Sequence, residues 1–393
     1  MSDGTVTWSD RTATWEGKAV SLGEIEGELQ RLWRAADTHW QGDGRRPDIR
    51  TSVLNLIVYA HNRGCVERAT AAIRHLSGTH PSRALIIEPG DARGEPSIDA
   101  ELSIISQGSY AEFGQVCSEE MVLKVNGPSS HHLTSVIIPL LAPDLPVFVW
   151  WPGETPFHHH IYAQLRELAD RFVVDSSDFA KPADDIVGLA HAAHFADRCA
   201  FSDFNWARLG PWREAIAAFF DPPEARACAD RLRHLEIDIP AERSPNGLDL
   251  PRALLLTGWL ASTLGFAPAK RDDEAGQYAW QLAGGSSQLL VRVNVGAPAT
   301  KLTLQAPAGP GAGGATFALS VDEDTHLTAT SALNSSQPAV RNSLLPEHEE
   351  GALLFQELEL FRHDTAFESA LVTASRLLDP RPQSSQARGS LLA

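Results

Sequence analysis

The sequence predicts an α/β fold in two parts: a mixed-sheet α/β N-terminal domain followed by an α+β C-terminal domain with an antiparallel meander. Three observations carry this. From Val53 to Asp175, short apolar runs are interleaved with amphipathic helical segments. Within that region the strands at 84–87, 102–106 and 121–125 follow one another without clear helices, so part of the sheet is antiparallel. Further on come alternating strands, with Leu289, Val291, Val293 and Val295 on one side and Leu290, Arg292 and Asn294 on the other. A chain of 393 residues also exceeds the usual size of one hydrophobic core.

Residues 1–48 read as an appendage of hairpin and helix. Val6 to Val20 has the length of a short hairpin. Ser21 and Glu24 form a capping box, and Ile25, Leu29, Leu32, Trp33 and Ala36 make one apolar stripe that must pack on something. Asp43-Gly44-Arg45-Arg46-Pro47 reads as a linker.

The α/β domain, 49–180, opens with a strand over Val53–Ala60, a helix from about Cys65 to Leu76 and a strand over Ala84–Ile87. Its best-defined stretch is Cys117–Gly153. The strand Met121–Val125 ends in the turn Asn126-Gly127-Pro128, and Ser129 and Ser130 cap a helix over His131–Leu141. Leu133, Ile137 and Leu140 give that helix its stripe, and Pro143 and Pro146 stop it. Pro146–Trp151 is apolar on both faces, as a buried central strand must be. The unit reads as β-α-β, right-handed if its strands are parallel in one sheet. A helix over Ile161–Ala169 and a strand over Arg171–Asp175 complete the domain.

The second domain, 181–378, begins with helices at 183–196, 211–220 and 250–264. Pro211 suits the first turn of the second, whose stripe is Trp212, Ile216, Phe219 and Phe220. Asp249 caps the third, which is apolar nearly all round and so deeply buried. The meander over 289–295, 301–305 and 316–321 follows, then helices over Leu353–Phe361 and from Asp364 to Leu378. The tail 379–393, rich in Pro, Ser and Arg, predicts disorder.

Charge narrows the function. Lys plus Arg number 33 against 50 Asp plus Glu, a net −17, which argues against general binding to nucleic acid or anionic membrane. Prolines divide the apolar span 133–153 into pieces too short to cross a bilayer. The acidic N-terminus is not a secretory signal. Cys65, Cys117, Cys199 and Cys228 are scattered without a CxxC, the pattern of reduced thiols in the cytoplasm.

Candidate sites are few. Gly309-Pro310-Gly311-Ala312-Gly313-Gly314 lies between strands, where a phosphate loop would need a helix behind it, so it reads as a hairpin loop. His131-His132, His158-His159-His160 and the His191/His194 pair lack a zinc signature and read as surface or cap residues; no metal site is assigned. Asp175-Ser176-Ser177-Asp178 ends a strand, where α/β sheets bind ligands, and Ser129-Ser130 begins a helix, where amides attract anions. Both groups read first as caps and turns; the alternative joins them into a site for a phosphate or sugar phosphate. Trp150-Trp151, at a strand end, reads either as core or as an interface anchor. Nucleophile and nucleotide motifs are absent, so no catalytic residue and no cofactor is assigned.

The segments Thr51–Leu56, His80-Pro81-Ser82-Arg83, Cys117-Ser118-Glu119-Glu120 and Leu145–Gly153, with Arg171–Phe179 ahead of a helical region bearing Trp206 and Trp212, resemble the glucose-6-phosphate dehydrogenase assembly protein family, OpcA. The resemblance spans roughly residues 50–265 and is most specific around Trp150-Trp151. It implies a non-catalytic cytosolic protein that binds glucose-6-phosphate dehydrogenase, promotes its active oligomer and raises its activity at the entry to the oxidative pentose phosphate pathway. In cyanobacterial members that effect is linked to thioredoxin and C-terminal cysteines; this chain has no cysteine after Cys228, so the switch is not carried over. Two rivals from other classes are a sugar-phosphate isomerase or hydrolase using 129–130 and 175–178, and a metal-dependent hydrolase using the histidines.

Overall fold

The computed structural model describes residues 6–9, 12–42, 49–50, 52–77, 79–110, 114–196, 198–242, 245–309, 313–322, 325–334, 337–346, 349–360 and 362–379. The linker expected at 43–47 and all but the first residue of the tail expected at 379–393 lie outside them. No helix among the described residues is long and apolar enough to cross a membrane. The chain divides into two compact units.

The first unit takes the chain to Ala180, with Ala196–Ala207 and His348–Asp364 added to it. Its sheet has ten strands: β1 (Val6–Ser9), β2 (Thr12–Gly17), β3 (Ile49–Arg50), β4 (Leu54–Tyr59), β5 (Ser82–Pro89), β6 (Ser97–Tyr110), β7 (Gly114–Asn126), β8 (Val147–Trp151), β9 (Arg171–Val174) and β10 (Ala200–Asp203). The order is β1-β2-β6-β7-β5-β4-β8-β9-β10, with β3 beside β7. From β7 to β10 neighbours are parallel, whereas β6, β2 and β1 add antiparallel strands. The sheet is therefore mixed. The N-terminal hairpin extends it, because β2 pairs with β6 from Thr12↔Ile105 to Gly17↔Ala100.

Every residue of β4 is buried, as its place in the middle of the parallel run demands. The helix Arg63–Leu76 lays Val66, Ala69, Ile73 and Leu76 over Leu56, Val58, Ala84 and Ile86. The helix Glu350–Leu358 adds Leu353, Leu354 and Leu358 to the same core, so this late segment belongs to the first unit rather than closing the second. β10 has no counterpart in the sequence reading; four residues are too short to show a period.

One helix differs from expectation. In place of a helix over His131–Leu141 there are a 3₁₀ turn at Gly127–His131, one α-turn at Thr134–Ile137 and a 3₁₀ turn at Ile138–Leu140. Pro139 removes a backbone donor within the run, which interrupts the i→i−4 ladder. Leu133, Ile137 and Leu140 are buried all the same. β7 and β8 are parallel in one sheet, with β5 and β4 between them.

The second unit holds β11 (His234–Pro240), β12 (Ala267–Arg271), β13 (Gln277–Gly284), β14 (Ser287–Ala297), β15 (Lys301–Ala306), β16 (Ala315–Asp322), β17 (His326–Leu333) and β18 (Ala339–Leu344). They form one sheet in the order β12-β13-β14-β11-β15-β16-β17-β18, antiparallel except where β11 runs beside β14. The alternation read from the sequence sorts its faces. Leu235, Ile237, Val291, Val293, Leu302, Leu304, Phe317 and Leu319 are buried on one side, whereas His234, Glu236, Arg292, Lys301 and Gln305 stand in solvent on the other. The loop from Pro307 joins β15 to β16 as a hairpin, with 310–312 outside the described residues. The helix Leu250–Thr263 is capped by Asp249, whose Oδ1 accepts from Arg252 N at 2.9 Å, and it is buried on nearly every side.

Candidate functional site

Ligands of open α/β sheets collect where crossovers leave in opposite directions. In the first unit that point lies between β4 and β8. β4 leads through the helix Arg63–Leu76 to β5 on one side, and β8 leads through the helix His160–Leu168 to β9 on the other. The register Val58↔Trp150 places Tyr59 and Trp151, the last residues of the two strands, next to each other. Their rings stack at 4.3 Å and are both 3% exposed.

Histidines surround this stack. His159 precedes the helix His160–Leu168, and its Nδ1 accepts from Ile161 N at 3.3 Å. That bond places the proton of the neutral ring on Nε2, which lies 3.3 Å from Tyr59 Oη and donates to it. The ring also meets Trp151 edge-on at 5.3 Å. His160 stacks on His159 at 4.6 Å, and its Nε2 is 3.1 Å from Nδ1 of His131. Gln164 Nε2 donates to His131 O at 2.8 Å, tying the chain after β7 to the helix. On the other flank His61 Nδ1 lies 3.5 Å from Cys65 Sγ. The His61 ring covers Gly153, where φ is +95° and a Cβ would sit 2.4 Å from Cε1, so only glycine fits this turn.

Burial, then the neighbouring His160 and His61, holds the His159 pKa below the usual imidazole range. Burial, then His131 and His132, does the same for His160. Burial pushes the Cys65 thiol up. Burial thus favours the uncharged form of the His159 and His160 rings and of the Cys65 thiol. The Tyr59–Trp151 stack lies inside, so the polar groups the cluster turns outward are those of the half-buried His159 and the exposed His160. Among the described residues no group of three or more His, Cys, Asp or Glu is placed to hold a metal ion.

The residues singled out from the sequence fall as follows. Trp150 is fully buried and Trp151 nearly so, which makes the pair core; neither presents the exposed face that an interface anchor needs. Ser130 is buried in the 3₁₀ turn with its Oγ donating to Gly127 O at 2.8 Å, and Ser129 is half-buried beside it, so neither caps an α-helix. Asp175 Oδ1 accepts from Ser177 N at 3.1 Å and Ser177 Oγ at 2.6 Å. Ser176 N donates to Asp203 Oδ1 at 2.9 Å, and Ser176 Oγ accepts from Asn205 Nδ2 at 3.0 Å. These groups are engaged within their own turn and by Asp203 and Asn205 at the end of β10. The ends of β7 and β9, from which the two serine segments start, are four strand spacings apart, about 19 Å, so the strands do not bring them into one anion cradle.

Tyr59, His61 and the His131–His160 contact were not visible as a group in the sequence. The signal available was positional: Tyr59 and Trp151 each end an apolar run, but only the sheet order makes those runs neighbours.

Residues 73–191 match the family model of the glucose-6-phosphate dehydrogenase subunit N-terminal domain, and residues 199–371 match that of its C-terminal domain. The chain belongs to the OpcA family. The N-terminal OpcA model takes in Trp151, His159 and His160, while Tyr59 and His61 precede it. Relatives include the OxPP cycle protein OpcA of Synechocystis sp., 29% identical over 204 residues, which are 52% of this chain and 41% of that protein. The OxPP cycle protein OpcA of Nostoc punctiforme is 28% identical over 202 residues, 51% of this chain and 41% of that protein. The match thus spans less than half the length of these OpcA proteins. Among solved structures, the transcriptional regulator Gal80p of Kluyveromyces lactis aligns with a TM-score of 0.46 and 10% identity over 84% of this chain and 88% of its own. An oxidoreductase of Bacillus cereus gives 0.45 and 9% over 84% and 97%. Likenesses this distant say nothing of activity.

Proposed function

We propose that this protein is a non-catalytic, cytoplasmic partner of glucose-6-phosphate dehydrogenase that binds the enzyme and favours its active oligomer in the oxidative pentose phosphate pathway. The observation that carries the reading is the pair of consecutive family models, both describing domains of a glucose-6-phosphate dehydrogenase subunit. The physical mechanism is a population shift. An activator changes the enzyme only by binding its competent state better than the others, and about 1–3 kcal/mol of such coupling moves apparent substrate affinity several-fold to about a hundredfold. The net charge of −17 suits a basic patch on the partner.

The test titrates the purified chain into its cognate dehydrogenase and follows rate against glucose 6-phosphate, with size-exclusion chromatography in parallel. A lowered half-saturation point and a co-eluting complex are expected. An unchanged curve with no complex defeats the proposal, as does turnover of a sugar phosphate by the isolated chain.

A further inference from the structure

β18 is the edge strand of the second sheet, and all six of its residues are exposed. Val340 and Leu344 are 63% and 74% exposed, more than the other large exposed hydrophobic residues Trp8, Val53, Ile138, Phe195, Val295 and Leu360. Sheet edges are normally blunted by proline, lysine, a bulge or a covering element. Ala339–Leu344 holds no proline, lysine or bulge; its one charged side chain is Arg341, and its pairing with β17 runs without a register shift from His326↔Leu344 to Ser331↔Ala339. Between the helix Gly210–Phe219 and the last two strands lies a groove of about 730 Å³, walled by Glu214, Ala218 and Phe219 on one side and by Ala329 and Ser331 of β17 with Arg341 of β18 on the other. The helix Gly210–Phe219 packs against β16 and β17, and the groove runs from it across β17 to β18 at the edge.

We infer that the edge of β18 is a self-association surface, on which a second copy of this chain adds its own β18 in antiparallel register about a two-fold axis. The strand's own sequence argues for that occupant. A two-fold axis perpendicular to the sheet keeps the helix side of both copies on one side, and opposed residues of an antiparallel pair point the same way, so only registers centred on a residue are allowed. Centring on Arg341 would oppose two guanidiniums. Centring on Asn342 sets Val340 against Leu344 of the second copy, and the reverse, so that each apolar residue covers another. Asn342 then meets itself, amide to amide, and Arg341 meets Ser343. Glu214 and Arg341 are the charged residues lining the groove. The paired register brings Arg341 of the second copy to the mouth of the groove that holds Glu214. β18 itself carries no acidic residue, which lets two chains of net charge −17 meet there.

The inference does not depend on the proposed partner enzyme. Sedimentation velocity of the full chain over a concentration series tests it, with V340D, L344D and N342C beside the parent. A monomer–dimer equilibrium is expected, weakened about a hundredfold in L344D because each change occurs twice in the dimer. Cys65, Cys117, Cys199 and Cys228 are buried, so N342C adds an exposed thiol at the self-opposed position. Mild oxidation should cross-link N342C and leave S343C, which opposes Arg341, uncross-linked. A parent chain that stays monomeric at all concentrations overturns the inference. So does a dimer indifferent to V340D and L344D with no cross-link in N342C, and so does L344D losing the dehydrogenase while self-association is unchanged.

Discussion

Tyr59 and Trp151 end neighbouring parallel strands and stack at 4.3 Å, and His159 closes over both, within 3.3 Å of the Tyr59 hydroxyl. The arrangement makes Trp151 part of the core at the very point where the sheet opens. Trp151→Ala should therefore cost about 3–5 kcal/mol of stability. Tyr59→Phe, which keeps the stack and loses one hydrogen bond, should cost about 0.5–1.5 kcal/mol. Urea unfolding followed by circular dichroism separates the two. If Trp151→Ala unfolds at the parent midpoint, the ring is not structural.

Gly258 lies within the helix Leu250–Thr263, where propensity favours alanine by about 1 kcal/mol. Yet a Cβ there would sit 2.1 Å from Ala370 O and 2.9 Å from Ala374 N, both backbone atoms of the helix Thr365–Leu378. Gly258→Ala must push the two helices apart, so the net effect is destabilisation of about 1–3 kcal/mol, opposite in sign to propensity. A raised thermal midpoint in Gly258→Ala would show that the helices do not pack this closely.

Asp203 is fully buried, and its Oδ2 has no hydrogen-bond partner. Burial and then the nearby Asp175 push its pKa up to about 7. A carboxyl raised in the folded state binds a proton that the unfolded chain has already released, so stability falls as pH rises from about 4 towards 7 and is level above that. Asp203→Asn keeps an oxygen for Ser176 N and Asn205 N but does not ionise. Its stability relative to the parent should rise across that interval by an amount on the order of a few kcal/mol. Denaturant midpoints at pH 4.5 and 8, expressed as a difference between variant and parent, remove the contribution of Glu120, which burial pushes up to about 7 and which shifts stability in the same direction. A pH-independent difference would contradict a protonated Asp203.

Arg171 is 2% exposed and binds Leu360 O at 2.7 Å, Ser202 Oγ at 2.6 Å and Arg362 O. It fastens β9 to the segment after the helix Glu350–Leu358. Arg171→Met fills much of the same space but leaves the buried Ser202 Oγ and the two part-buried carbonyls without their donor, at a cost of about 1–3 kcal/mol. Hydrogen exchange should also rise in Glu350–Leu358 before it rises in β4. Uniform exchange across both would mean that Arg171 does not hold that helix in place.

Much of the fold could be read from the sequence, because local periodicity reports burial directly. The apolar run of β4, interrupted only by Asn55, and the alternation of β14 each marked an element and its buried side. The capping residues Asp249 and Ser21 marked helix starts through their own short-range hydrogen bonds. Pairing is a different matter. Which strand ends lie side by side depends on contacts between residues far apart in the chain. So the stack of Tyr59 on Trp151, the closing histidines and the burial of Asp203 against Asp175 had no local signature. Trp150-Trp151 marks that boundary: the residues gave an apolar strand end, and only the packing of β4 and β9 against it decided that both rings lie inside.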